Sequence, residues 1–383
     1  MNKTILFLLA SALALILPVS LLSQEKEGKL RPVYTINLYY NLDNREISPS
    51  GQRFTNSMII NAAQLTPLVG VEVSQGKEVT HRVMAGIDIV KNMGERPTSD
   101  KDAKLNNTAL FQEILMYYEL VRDTPGTKVT FDAGVFPRGI AKGEYTQPFW
   151  SDSVYWMSNN FAGLFAKLDK PKSHYEIGLD WYGMKARERR EEFRIVSSGV
   201  SNVAKDIFVG WRFYGHHYAN STAISGVVDD ILGEPFIKKE IPSTMQQLYA
   251  ELSWLQGLQR DRRVNKGFLT PGGPQLELMA GKWNVFIRNR LYWGSGLMPL
   301  YDSVDDAGVK YGSNLYWGSP FYMVHRDRNE SWKHWGTYDR LEIFWSPKIS
   351  KYLDLKVSTV FHFNEWEFSG WQQKLTLAFI FGN

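Results

Sequence analysis

The stretch Tyr175-Glu-Ile-Gly-Leu-Asp-Trp-Tyr182 decides how this chain folds. Tyr175, Ile177, Leu179 and Trp181 share one parity, and Glu176, Gly178, Asp180 and Tyr182 share the other. Side chains of an extended backbone point alternately to opposite faces, so this segment reads as a strand with one apolar and one polar side. Outward from it the pattern repeats. Val129, Phe131, Ala133 and Val135 oppose Thr130, Asp132, Gly134, Phe136 and Arg138, and Ile207, Val209, Trp211 and Phe213 oppose Gly210, Arg212, Tyr214 and His216. Leu110, Ile114, Met116, Tyr118 and Leu120 face away from Phe111, Glu113, Leu115, Tyr117 and Glu119. A hairpin centres on Gln75-Gly76, where Val69, Val71 and Val73 alternate with smaller or polar residues and Val79 to Val90 resumes the alternation. Towards the end, Leu341, Ile343 and Trp345 oppose Arg340, Glu342 and Phe344, while Leu353, Leu355 and Val357 oppose Asp354, Lys356 and Ser358. The last segment sets Trp371, Leu375, Leu377, Phe379 and Phe381 against Gln372, Lys374 and Thr376.

Alternation alone fits a soluble sandwich as well as a barrel. The contents of the two faces separate them. Arg, Glu, Asp, Lys, Gly and Tyr recur on the polar face, and the apolar face carries rings near strand ends, as at Trp181, Trp211, Trp293 and Trp345. Strands this long are unusual in a sandwich but match tilted membrane strands of about 9–11 residues, whose interface girdles are aromatic. The expected fold is therefore all-β: a transmembrane antiparallel up-and-down β-barrel of about sixteen strands, with fourteen as the alternative. Loop material falls at Asn44–Arg53, Met93–Asn107, Arg122–Thr127, Lys170–Ser173, Arg260–Pro274, Asp302–Gly312 and Arg326–Lys333. The charged run Arg187–Arg194 reads as a short helix or a lumenal strand.

The composition is consistent with export. The chain has 383 residues, 13 Trp, 19 Tyr, 21 Phe and no Cys, which excludes disulfides, thiolate metal sites and a cysteine nucleophile. Residues 1–23 have the parts of a secretory signal: Lys3, an apolar run from Ile5 to Leu17, then Pro18 and small residues up to Ser23. Residues 24–32 are a lead-in, and 33–383 form the barrel with no room for a second domain. No later run is long and apolar enough for a membrane helix. The net charge of +4 is dispersed, so there is no electrostatic footprint for nucleic acid.

The closing Leu375-Thr-Leu377-Ala-Phe379-Ile-Phe381 resembles the C-terminal assembly signal of bacterial outer-membrane barrels, although Gly382-Asn383 follow the last ring. Ala133-Gly-Val-Phe-Pro-Arg138, Asp152-Ser-Val-Tyr155, Leu179-Asp-Trp-Tyr-Gly-Met184, Leu258-Gln-Arg-Asp261 and Tyr316-Trp-Gly-Ser-Pro-Phe-Tyr322 resemble outer-membrane β-barrel proteins of the Bacteroides type (Bacteroidota). The resemblance implies the outer membrane of a Gram-negative bacterium and the barrel fold, and brings no catalytic residues with it.

On these readings the lumen is where function resides. Arg82, Glu113, Glu119, Asp132, Arg138, Glu176, Asp180, Arg212, Arg288, Arg290, Arg340 and Glu342 fall on polar-face positions and are the expected pore lining. Opposed charges in a water-filled barrel would select small polar solutes, and outer-membrane lipid is the other expected partner. The bland alternative is that these groups pair and close the lumen. Phe111, Tyr117, Phe136, Tyr182, Tyr214, Tyr292, Tyr338 and Phe344 lie among them, as sugar platforms or as plain filling. A membrane-embedded hydrolase or lipid-modifying enzyme is the rival reading, with His216 and His362 as its acid–base candidates. Neither a Gly-x-Ser-x-Gly elbow nor a His-Glu-x-x-His helix occurs, and no cofactor or metal is expected. Asp302–Asp306 reads as an exposed acidic loop and lacks the ligand spacing of a calcium loop. A third reading is a closed barrel whose surface loops, 302–312 among them, bind a partner.

Overall fold

The computed structural model describes residues 28, 30–93, 113–154, 158–187, 189–221, 225–305, 308–328 and 330–382. The expected signal at 1–23, most of the 93–107 loop and Phe111 lie outside the described residues. Sixteen strands follow in order: β1 Arg31–Ile47, β2 Met58–Gln75, β3 Val79–Asn92, β4 Glu113–Thr124, β5 Thr127–Pro137, β6 Asn160–Lys170, β7 Ser173–Gly183 and β8 Glu192–Ala204. They continue as β9 Ile207–Tyr218, β10 Val228–Glu240, β11 Gln247–Asp261, β12 Gly272–Lys282, β13 Val285–Ser295, β14 Trp335–Trp345, β15 Leu353–Asn364 and β16 Glu367–Gly382.

Each strand pairs antiparallel with its chain neighbours, and β1 pairs with β16 from Thr35 opposite Gly382 to Ile47 opposite Gly370, so the sheet closes into a barrel. Closure leaves no sheet edge, and every strand's ladder is filled on both sides. The sixteen strands and the parity are as the sequence indicates. β1 starts at Arg31, so Arg31 and Pro32 belong to the barrel and not to the lead-in. The charged run at 187–194 is neither a helix nor wholly a strand: it crosses from the loop at 184–191 into the start of β8.

The two ends differ. At the end holding both strand termini, turns are tight, as at 76–78, 125–126, 171–172, 205–206 and 283–284. The opposite end carries the longer connections, above all 138–159 and 296–334. Gly76 takes φ 64° in the first of these turns, a conformation glycine adopts without steric penalty. The turn at 283–284 has Trp283 at φ 56° and Asn284 at φ 63°; two successive positive φ values make the primed turn that matches strand twist.

Outward positions form the apolar belt: Val69, Val83, Ile114, Met116, Ile177, Leu252, Leu278, Ile287 and Ile343 are exposed, with Trp211, Trp293, Trp335 and Trp345 towards its margins. Inward positions pack tightly. A Cβ on Gly178 would lie 2.5 Å from the Phe165 ring, which is itself fully buried. Gly178→Val therefore overpacks the wall at β6–β7 and is expected to destabilise the barrel by about 1–3 kcal/mol. The check is the temperature at which the folded band converts in a heat-modifiability gel; an unchanged temperature contradicts this packing.

Candidate functional site

Every described residue of the expected pore lining sits on a strand face, or at a strand end, that turns into the barrel, opposite the exposed apolar belt. Depth separates them into two groups. Asp132, Arg138, Glu176, Asp180, Arg212, Arg340 and Glu342 are buried, and most of these are tied to neighbours. Arg138 Nη2 donates to Asp180 at 2.7 Å, and Arg212 Nη1 donates to Glu251 at 2.8 Å with Glu234 at 3.2 Å. Arg340 donates to Glu342 at 2.9 Å. Lys142 and Gly143 both donate backbone N–H to Glu176 at 2.9 Å. Burying a charge is unfavourable unless it is paired, so these groups build a buried polar core and do not line open water.

The second group stays accessible. Arg82, Arg288 and Lys356 each sit three residues into a strand that enters from the tight-turn end, β3, β13 and β15 respectively. Arg82 donates to Glu72 at 2.6 Å and Glu119 at 2.8 Å, and Lys356 donates to Glu342 at 2.7 Å. Arg290 is largely covered where it contacts Glu277, and Glu113 accepts from Asn160 at 3.0 Å. The Phe344 ring stacks on Phe286 with centroids 4.9 Å apart and carries Lys356 Nζ at 4.2 Å.

Two connections fold back into the barrel from the long-loop end. Residues 138–154 form a strap across the interior. Arg212 donates to the Glu144 carbonyl at 2.5 Å, Thr146 donates to Glu234 at 2.7 Å, and Phe149 packs edge-on against Tyr214. At the far wall Asp152 accepts from Lys374 at 2.8 Å and lies 3.6 Å from Arg340. The described residues of the connection 296–334 fill the space behind the strap. Leu297, Met298, Leu315, Phe321, Tyr322 and Val324 join barrel residues Phe136, Phe161, Tyr292 and Tyr338 in one cluster. Trp317 lies between two guanidiniums, Arg194 at 3.9 Å and Arg138 at 4.5 Å from its ring centre.

The histidine candidates belong to this packing. His216 meets the Leu315 carbonyl at 3.1 Å and Glu192 at 3.0 Å; His362 meets the Tyr338 hydroxyl at 2.8 Å and Gln372 at 3.0 Å and stacks on Phe321 at 4.3 Å. Both are buried under the folded-in segment, where an outer-membrane lipid or peptide has no access. Among the inward rings, Phe136, Tyr214, Tyr292 and Tyr338 lie in the cluster, as lumen filling. No group of three or more His, Cys, Asp or Glu among the described residues has metal-holding geometry. Parity places Lys356 and Lys374 on the inward rows of β15 and β16, but neither is in the expected pore lining, and Asp152 lies in a connection where parity has no meaning.

No protein-family model and no curated protein matches this sequence. Solved structures do match in shape. OmpTdeltaL8, a loop L8 deletion mutant of OmpT, an outer membrane protein of Vibrio cholerae, aligns with TM-score 0.52 at 7% identity, over 92% of this chain and 99% of that one. The fold is that of an outer-membrane barrel. OprD of Pseudomonas aeruginosa gives 0.49 at 10% identity over 92% and 95% of the two chains, and OpdK of the same organism, solved with vanillate, 0.44 at 8% over 92% and 99%.

Burial alone would raise the pKa of Asp152, but Lys374 and Arg340 outweigh it and hold the carboxyl far below its ordinary value. A carboxylate depressed in the fold stabilises above its unfolded pKa of about 3.9 and loses that contribution only as pH falls towards the folded value. The strap is therefore expected to stay tied between pH ~7 and ~4. Asp152→Ala leaves Lys374 without its carboxylate and Arg340 with Glu342 alone, and is expected to loosen the strap by about 3 kcal/mol. Limited proteolysis within 138–159 reads both effects: cleavage should be unchanged across that pH range in the wild type and faster in the variant.

Proposed function

We propose that this chain is a channel of the Gram-negative outer membrane, passing small polar solutes, and that its accessible vestibule favours anions. The observation that carries the reading is an imbalance in exposure at the tight-turn end. Arg82, Lys356 and Arg288 keep 39%, 36% and 25% of their side-chain surface exposed, while Glu72, Glu342 and Glu277 beside them keep 7%, 2% and 6%. Glu119, the other partner of Arg82, keeps 19%, so within these pairs the cation is the more accessible member. Donors that remain accessible attract anions and hydroxylated solutes, as charged rings do in other pores. The fold likeness to OmpTdeltaL8, itself an outer membrane protein, supports the location. The phrases around Ala133–Arg138 and Tyr316–Tyr322 support a Bacteroidota-type origin.

The strap at 138–154 and the described residues of 296–334 reduce the cross-section beyond the vestibule, so unitary conductance is expected to be small. Planar-bilayer recording of the purified chain across a KCl gradient tests the proposal. The expected result is channel events with a reversal potential on the chloride side, moved towards zero by Arg82→Gln, Arg288→Gln and Lys356→Gln together. Cation preference would overturn the vestibule assignment. Silence at every voltage, from protein shown to be inserted, would overturn conduction itself and leave a closed barrel.

A further inference from the structure

One wall breaks the rule that lipid-facing positions are apolar. On β14 the outward row reads Trp335, Thr337, Asp339, Leu341, Ile343 and Trp345, and on β13 it reads Val285, Ile287, Asn289, Leu291 and Trp293. Asp339 thus lies between two tryptophans that mark the margins of the belt, inside the hydrocarbon zone. Asn289 Nδ2 donates to Asp339 Oδ1 at 2.6 Å. The second amide hydrogen and the carbonyl oxygen of Asn289 have no partner among the described residues, and both side chains are only half-buried. Thr359 on β15, Gln373 on β16 and Asn44 on β1 also face outward, in register with Ile343 and so nearer the tight-turn end than Asp339, with Asn44 Nδ2 donating to Gln373 at 3.3 Å.

A carboxylate and an amide with spare hydrogen-bonding capacity are unfavourable against lipid tails, and ionisable groups at that depth ordinarily face protein or water. Lipid headgroups cannot supply the missing contacts, because they lie at the level of the tryptophans. The patch does, however, offer a donor and an acceptor side by side, which is the requirement for a surface that matches itself across a two-fold axis.

We propose that the wall around Asp339 and Asn289 docks a second copy of this chain, with the free amide hydrogen of each Asn289 meeting the other copy's Asp339. The pairing needs the barrel in a bilayer and is independent of whether the lumen conducts. It gives the free amide hydrogen of each Asn289 a carboxylate to donate to and removes the patch from lipid, and the flanking Leu291, Leu341 and Trp293 supply the apolar rim.

Because the chain has no Cys, a single introduced thiol reports on one position. The full-length protein is reconstituted in lipid nanodiscs large enough for two barrels, and its mass is read by native mass spectrometry. Dimers are expected. Leu341→Cys, opposite Asn289 in the β13–β14 register, should form disulfide-linked dimers under mild oxidant, whereas Ile177→Cys, exposed on the distant β7, should not. Asn289→Leu with Asp339→Leu should lower the dimer fraction roughly tenfold while keeping heat-modifiable migration, which shows that the barrel is intact. A monomeric wild type, equal cross-linking at Leu341→Cys and Ile177→Cys, or undiminished dimers in the double variant would each overturn the proposal. Protein that does not enter the bilayer at all would instead overturn the membrane reading.

Discussion

Everything in this structure follows from the need to satisfy the backbone where water is absent. A strand in hydrocarbon must have each N–H and C=O paired, which a sheet achieves only by closing on itself. The β1–β16 seam is where that requirement is met, and the lengths of those two strands, running from Arg31 to Ile47 and from Glu367 to Gly382, give it one of the longest ladders in the barrel. Once closure is imposed, the two-residue period dictates that one face of every strand meets lipid and the other meets the interior. Composition then has no freedom to be uniform, and the apolar and charged residues are sorted row by row.

The interior faces a second constraint. Charges collected inside a narrow barrel must be hydrated or paired, and depth decides which. Near the tight turns there is room for water, so Arg82, Arg288 and Lys356 remain accessible while leaning on buried carboxylates. Further in, the strap and the segment behind it exclude water, and Arg138, Arg212 and Arg340 are held by Asp180, Glu234, Glu251 and Glu342. The strap is fixed at both walls by polar contacts, to Glu176 and Glu234 on one side and to Lys374 and Arg340 on the other. The same residue types therefore serve recognition at one depth and architecture at another.

This division explains how much could be read from the sequence. Parity is a local property of an extended chain, so the strand faces, the barrel, the strand number and the inward placement of Arg82 or Glu342 were legible from residues alone. Depth is not local. Nothing near Asp180 announces that Arg138 will cover it, and nothing near His216 or His362 says that Leu315 and Phe321 will fold down upon them. Turns were legible where glycine marks them, as at Gly76, and hidden where Trp283-Asn284 or Glu365-Trp366 adopt positive φ without one. Asp152 was invisible as a site residue because its partners, on β14 and β16, are distant in the chain and are brought near it only by closure.

The segregation of long connections to one end also imposes an order of events. The described residues of 138–159 and 296–334 pack against nearly every wall, so their seats do not exist until the strands have assembled. They must then be the last parts to settle. The molecule thus completes its largest buried apolar cluster only after the shell around it has closed.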